Sequence, residues 1–229
     1  MKRLIITLMM VIMCGAVSAN LLVNSSFEQE FTDTYSQVVS PTVAGSFAYG
    51  GNGWLTNMPH WMSDENWGFA LNPDGTGTGG PFGQTPPDAA DGSIIYGAGH
   101  VAHYFGIFQN VNTESGISAD GTKTYVLTFD FYHDSRFDPP WLTAKIQMPP
   151  SGVEIVLGGV GVDPGVPLDS WQPITLTLPA NMAFDGAEPQ VYLQGNGGSW
   201  VDNVSLVAIP EPAILGFLAL LGSAFLRRK

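Results

Sequence analysis

Cysteine is almost absent. The 229 residues hold one, Cys14, inside an apolar leader. Once that leader is lost the chain has no thiol, which excludes disulfides, thiolate catalysis and cysteine-bound zinc. Basic residues are scarce too, with 8 Lys and Arg against 20 Asp and Glu. Five of the eight sit at the two ends (Lys2, Arg3, Arg227, Arg228 and Lys229). Only Lys123, Arg136 and Lys145 remain among residues 20–226, which carry every acid and a net charge of −17. Such a surface repels phosphate backbones and excludes nucleic acid as a partner. Long apolar runs are missing: the uncharged stretch at 213–226 has 14 residues, against about 20 for a bilayer-spanning helix. Helix signals are missing from the middle of the chain, where most of the 28 Gly and 17 Pro fall and interrupt any long periodic run. No nucleophile elbow, HExxH or Walker loop occurs. His100 and His103 are three apart, so a strand would turn them to opposite faces, away from a shared zinc.

What is present begins at the ends. Lys2 and Arg3 precede an apolar run at 4–13, and Val17, Ser18 and Ala19 supply small residues for cleavage before Asn20. This is the grammar of a secretory signal over residues 1–19. At the other end Pro210, Glu211 and Pro212 precede the 213–226 stretch, and Arg227, Arg228 and Lys229 close the chain. Terminal basic residues stay on the cytoplasmic side of a membrane, so both ends place residues 20–208 outside the cytoplasm. A simple C-terminal anchor satisfies the same pattern.

The order Pro-Glu-Pro, short apolar helix, basic terminus over 209–229 resembles the PEP-CTERM sorting signal of Gram-negative bacteria. The resemblance implies an exosortase-type sorting enzyme as partner, transient residence in the inner membrane, and release into an exopolysaccharide matrix or onto the cell surface. It is an address and carries no chemistry for the exported domain.

Residues 20–208 have the length of one β-rich domain. Strand-like runs recur at 20–27, 93–111, 122–132, 141–148, 153–157, 171–178, 190–194 and 200–208. In TKTYVLTFDF, Tyr125, Leu127, Phe129 and Phe131 share one face, and in PITLTLP, Ile174, Leu176 and Leu178 do the same. About eight strands without crossover helices predict an all-β antiparallel sandwich or jelly roll. The Gly-, Pro- and Asp-dense stretch at 72–92 reads as a surface loop. NLLVNSSFE (20–28), DGSIIYG (91–97), the Phe108-Gln109 pair, KTYVLTFDF (123–131), LDSWQPITLTL (168–178) and WVDNVSLVA (200–208) are similar, in this order, to galactose-binding-like jelly rolls that include carbohydrate-binding modules. That likeness implies a sandwich whose loops bind sugars, and first and last strands that lie together around a structural calcium.

Glu28 and Asp202 are the acids at those two ends, with Asn24 a further oxygen donor; hard oxygen ligands suit calcium. The same acids also serve as a solvated strand end and a turn cap. For sugar, the NMPHWMSDENWG stretch (57–68) supplies Trp61 and Trp67, and FYHDSRFDPPW (131–141) supplies His133, Asp134, Arg136 and Trp141. Flat rings stack on sugar faces and polar groups bind hydroxyls; a loop plugged by its own rings is the plainer reading. Trp54 and Trp171 are expected in the core. The expectation is an exported, matrix-associated, carbohydrate-interacting domain that is not an enzyme. Its alternatives are a purely structural surface protein and a small glycan-active enzyme working through paired carboxylates.

Overall fold

TYVLTFDFYH is the clearest strand in the sequence, and its burial alternates at every position from Thr124 to His133. Period-two patterning of this kind lets one face of a sheet be buried while the other stays polar. The computed structural model describes residues 19–33, 35–49, 58–63, 68–73, 86–98, 104–115, 123–137, 142–148, 155–161, 168–178 and 189–209. Its early elements are β1 (Phe31–Thr32), β2 (Val38–Val39), β3 (Phe47–Tyr49), β4 (Met62–Ser63), β5 (Phe69–Leu71), β6 (Ile95–Ala98), β7 (Tyr104–Asn110) and the short helix α1 (Val111–Ser115). Then follow β8 (Thr124–His133), β9 (Leu142–Met148), β10 (Ile155–Gly161), β11 (Gln172–Leu178), β12 (Gln190–Asn196) and β13 (Ser199–Ile209). The leader 1–18, the tail 210–229, Trp54, Trp67, His100, His103, Asp138 and Trp141 lie outside the described residues.

Two antiparallel sheets form a sandwich. The order is β10-β9-β12-β7-β4 in one and β11-β8-β13-β6-β5-β3 in the other, with β1-β2 a separate hairpin. The expected sandwich is therefore present. Between the sheets lie Leu127, Phe129 and Phe131 of β8, Val201, Val204 and Leu206 of β13, Phe105 and Ile107 of β7, and Val191 and Leu193 of β12. β12 and β13 are consecutive but belong to opposite sheets, so the chain arches across the sandwich at Gly197 and Gly198. Gly198 has φ +84°, and a Cβ there would lie 2.6 Å from the Phe137 ring; only glycine fits.

A second apolar cluster of Phe69, Leu71, Ile95 and Trp200 is joined by half-buried Trp171 and Tyr132. Alternation puts it on the outer face of the six-stranded sheet, opposite the main core. Trp200 meets Phe69 edge-on at 5.2 Å. Trp171, expected in the core, packs beside Tyr132 at 5.6 Å and donates its Nε1–H to the Asp88 carbonyl at 2.7 Å.

The first segment differs from expectation. Residues 20–27 are no regular strand, because Asn24 and Phe27 take left-handed backbone at φ 50° and 59°. The segment is instead tied to both sheets. Asn20 bridges Val207, and Leu21 N–H donates to the Leu206 carbonyl at 2.7 Å. The Gln109 side chain acts as a missing strand: its Oε1 accepts from Val23 N–H and its Nε2 donates to the Val23 carbonyl, both at 2.8 Å. Gln109 is 0% exposed. Gln109→Leu keeps the volume but leaves a donor and an acceptor of Val23 unpaired. It should cost about 2–4 kcal/mol, read as a lower urea midpoint with an unchanged slope.

Candidate functional site

Three groups of side chains in the sandwich combine the residue types of a site. The first joins the two ends of the domain. Glu28 Oε1 accepts from Ser93 N–H and Ile94 N–H, both at 2.7 Å. Asp202 Oδ2 accepts from Ala90 N–H at 2.9 Å and Asp91 N–H at 2.8 Å, and its Oδ1 from Asn203 N–H at 2.7 Å. Asp91 in turn accepts from the Ser26 hydroxyl at 3.0 Å. Both terminal acids thus grip one segment, 90–94, and hold it over the sheet. Asp202 is 0% exposed, and burial pushes its carboxyl up to about 7 against the pull of three backbone N–H groups. Asn24 does not join them. Its side chain donates to the Pro59 carbonyl and accepts from Gln29 N–H, and its own carbonyl accepts from Trp61 Nε1. Among the described residues no three His, Cys, Asp or Glu side chains converge as a metal cluster.

The second group is the turn after β8. His133 is buried, and its Nδ1 is 2.8 Å from the Ser199 hydroxyl, which itself donates to Asn196 Oδ1 at 3.0 Å. His133 Nδ1 is therefore the donor of that pair. Asp134 is buried and held by the Arg136 guanidinium and by Arg136 N–H at 2.9 Å. Asp169, at φ 60°, accepts from Ser135 N–H at 2.9 Å. The Ser135 hydrogen bonds hold its carboxyl below the usual range. The turn closes on itself, and of His133, Asp134 and Arg136 only Arg136 is exposed. Trp61 is corrected as well: its ring is 1% exposed and packs at 5.4 Å from Phe27 in the main core. The polar neighbours that suggested a loop surround a ring buried by contacts distant in sequence.

The third group was not singled out from the sequence. On the outer face of the five-stranded sheet, register aligns Met62 with Phe108, Phe108 with Tyr192, Tyr192 with Lys145 and Lys145 with Gly159. At about 4.8 Å between strands this row runs roughly 19 Å across all five. Its neighbours are amides and a hydroxyl. Gln190 donates to Asn110 Oδ1 at 2.6 Å on one side, and Gln194 pairs in register with Thr143 on the other. Met62, Phe108 and Lys145 are half-buried, and Tyr192 is 6% exposed with the Lys145 ammonium 5.1 Å from its ring centroid. Just past Asn110, α1 brings Glu114 to His60, whose Nδ1 lies 2.8 Å from Glu114 Oε2. An apolar row edged by amides offers rings to sugar faces and donors and acceptors to hydroxyls.

No family model matches this chain, and no curated protein does. Solved structures do. The Stig cyclase Fisc from Fischerella sp. TAU, in complex with (3Z)-3-(1-methyl-2-pyrrolidinylidene)-3H-indole, aligns with TM-score 0.54 at 15% identity over 82% of this chain and 96% of that one. A further cyclase from Fischerella sp. TAU gives 0.55 at 14% over 85% and 98%. The arabinose-bound MgGH51 α-L-arabinofuranosidase gives 0.51 at 15% over 85% of this chain but 27% of that one. At such identities the likeness is one of fold. It overturns the expectation that the chain is not an enzyme. Cyclases are built on this sandwich over nearly their whole length, so missing hydrolase and metalloprotease motifs are no argument against catalysis.

Asp202 carries a measurable signature. Its folded pKa of about 7 exceeds the ordinary 3.8, so the folded state binds the proton more tightly. Stability is then lost as pH rises from about 4 to about 7, by up to about 4 kcal/mol, and levels off above. Chemical denaturation in chelator across this range should show the decline, and Asp202→Asn should flatten it. Equal slopes in both proteins would place the titration elsewhere.

Proposed function

We propose that this chain is an exported glycan-binding β-sandwich, sorted by an exosortase-type enzyme and acting in an extracellular polysaccharide matrix or at the cell surface. The row Met62, Phe108, Tyr192 and Lys145 with its flanking amides carries the binding reading. Export is supported by the leader and by the Pro210, Glu211, Pro212 to Lys229 tail. Among the described residues, strand pairing runs from Asn20 to Ile209, in keeping with a domain over 20–208.

A structural calcium ion belongs to the same reading. Glu28, Asp91 and Asp202 supply only oxygen donors. Asp202 is buried beside the Asp91 charge, with no basic group among the causes of its shift, and a divalent cation would relieve that burial. Glu28 and Asp202 would hold it, and it would fix the 90–94 segment.

A catalytic reading is favoured by the cyclase likeness. The sandwich is about a quarter of the arabinofuranosidase, so that protein's activity does not come with it. Incubation of the full chain with glycans, followed by product analysis, separates a binder from a glycan-active enzyme.

Three outcomes are expected. On a glycan array, Phe108→Ala or Tyr192→Ala should weaken binding by about 1–3 kcal/mol, whereas Trp61→Ala should cost about 3–5 kcal/mol of stability. Unchanged affinity in both face variants would remove the site from this sheet. Calcium, but not magnesium at equal ionic strength, should raise the melting temperature of wild type and not of Asp202→Asn. Intact-mass measurement of the extracellular form should find residues 1–19 and the basic tail gone; recovery of Lys229 there would contradict processing.

A further inference from the structure

His60 is held in a backbone conformation that its side chain disfavours. It is the third residue of the Met58–Trp61 turn, directly after Pro59, and has φ 69°. Turns of this kind place glycine or asparagine there. Such strain persists only where the surroundings impose it, and it gathers at functional positions. Here the surroundings impose it from both sides. Trp61 N–H closes the turn on the Met58 carbonyl at 3.2 Å, Asn24 Nδ2 donates to the Pro59 carbonyl at 3.2 Å, and Trp61 Nε1 is anchored on the Asn24 carbonyl at 3.0 Å. The imidazole so presented is 34% exposed, with Nδ1 2.8 Å from Glu114 Oε2. A carboxylate only accepts, so Nδ1 carries the proton and Nε2 of the neutral ring keeps its lone pair. Among the described residues Nε2 has no partner.

Resting on the glycan reading, we infer that this pair hydrolyses ester substituents, such as O-acetyl groups, on a glycan lying along the five-stranded face. Met62, two residues after His60, pairs with Phe108, and Asn110 lies two residues after Phe108. Alternation thus brings His60 and Asn110 to one end of the candidate row and to its face. His60 is the base. Its Nε2 takes a proton from a water whose oxygen forms a bond to the acyl carbon. Asn110 Oδ1 is engaged by Gln190 Nε2 at 2.6 Å, which leaves Asn110 Nδ2 to donate to the acyl oxygen as it becomes anionic. The imidazolium then returns the proton to the sugar oxygen as the ester C–O bond breaks. One water is consumed, and a carboxylic acid and a sugar hydroxyl are released. Glu114 is a positioning residue: it fixes the tautomer and offsets the imidazolium charge. Water is the nucleophile, so no serine or cysteine elbow is required. Cleaving a glycosidic bond asks instead for a protonated carboxyl and a second carboxylate across the bond, whereas an imidazole held by a carboxylate supplies a base.

Acetate release by the full chain from partially O-acetylated xylohexaose, cellohexaose and mannohexaose, followed by proton NMR, tests this. Wild type should release acetate from at least one of them about a hundredfold faster than buffer does. Asparagine and glycine both suit a positive φ, so His60→Asn and His60→Gly should hold the wild-type urea midpoint while kcat falls about 10²–10⁴-fold. Glu114→Gln should lower kcat and leave KM unchanged. Acetate release at the buffer rate from all three, or full activity in His60→Asn, overturns the inference; calorimetric binding of an unacetylated hexamer, or of any array glycan, then leaves the glycan reading standing. Failure of wild type to bind any of the hexamers or any glycan on the array overturns both.

Discussion

The segment that opens the domain has backbone groups that no regular strand satisfies, and the sandwich is closed by the side chains and carbonyls that satisfy them. Asn20 Oδ1 takes Leu206 N–H and Leu22 N–H; Gln109 takes both groups of Val23; Ser25 offers its carbonyl to Val204 N–H. Buried backbone polarity without such partners costs more than the pairs themselves contribute. The path from Asn20 to Phe27 is thereby fixed against β13 on one side and β7 on the other. Glu28 arrives at Ser93 and Ile94 as a result, and the acids of the two ends take hold of one segment. Just before that segment Asp88 receives the Trp171 indole N–H at its carbonyl, and Ala89 packs against the outer cluster of Trp200 and Ile95. One constraint on hydrogen bonding thus orders the termini, the 86–94 segment and the outer face of the six-stranded sheet.

Much of the sandwich was legible in the sequence because a buried sheet face forces period-two alternation. β8 and β11 are read directly from TYVLTFDFYH and QPITLTL. The short strands β1 to β5, two or three residues each, hold too few positions for a period to show. The opening segment looked extended because its apolar residues alternate, but the left-handed turns at Asn24 and Phe27 are set by contacts with residues 59, 61 and 204. Local composition could not report them.

The sites divide in the same way. Glu28 and Asp202 were readable as acids at the two ends of the domain, and the fold sets both against the 90–94 segment. Trp61 was misread for the opposite reason: its sequence neighbours are polar, while Phe27, 34 positions earlier in the chain, buries it. The row from Met62 to Gly159 exists only through the register of five strands drawn from residues 62 to 196. A single signal for it was on view, the lack of any acid in YFGIFQN, LTAKIQM, IVLGGVG and QVYLQGN. In so acidic a chain that lack is the feature that calls for a reason.

Electrostatics supplies one. A net charge of −17 over the exported region keeps the protein soluble and repels anionic polymers at long range. That repulsion decays over about 10 Å at 0.1 M salt, so it acts on the approach and little on the final contact. At contact the local charges decide, and of the two sheets of the sandwich the five-stranded one has no acid in its strands, while Lys145 stands in its row. The two acids that lie in strands of the sandwich, Asp130 and Asp202, are on the other sheet, with the core and about 10 Å of protein between, and there Asp202 serves the grip on the 90–94 segment.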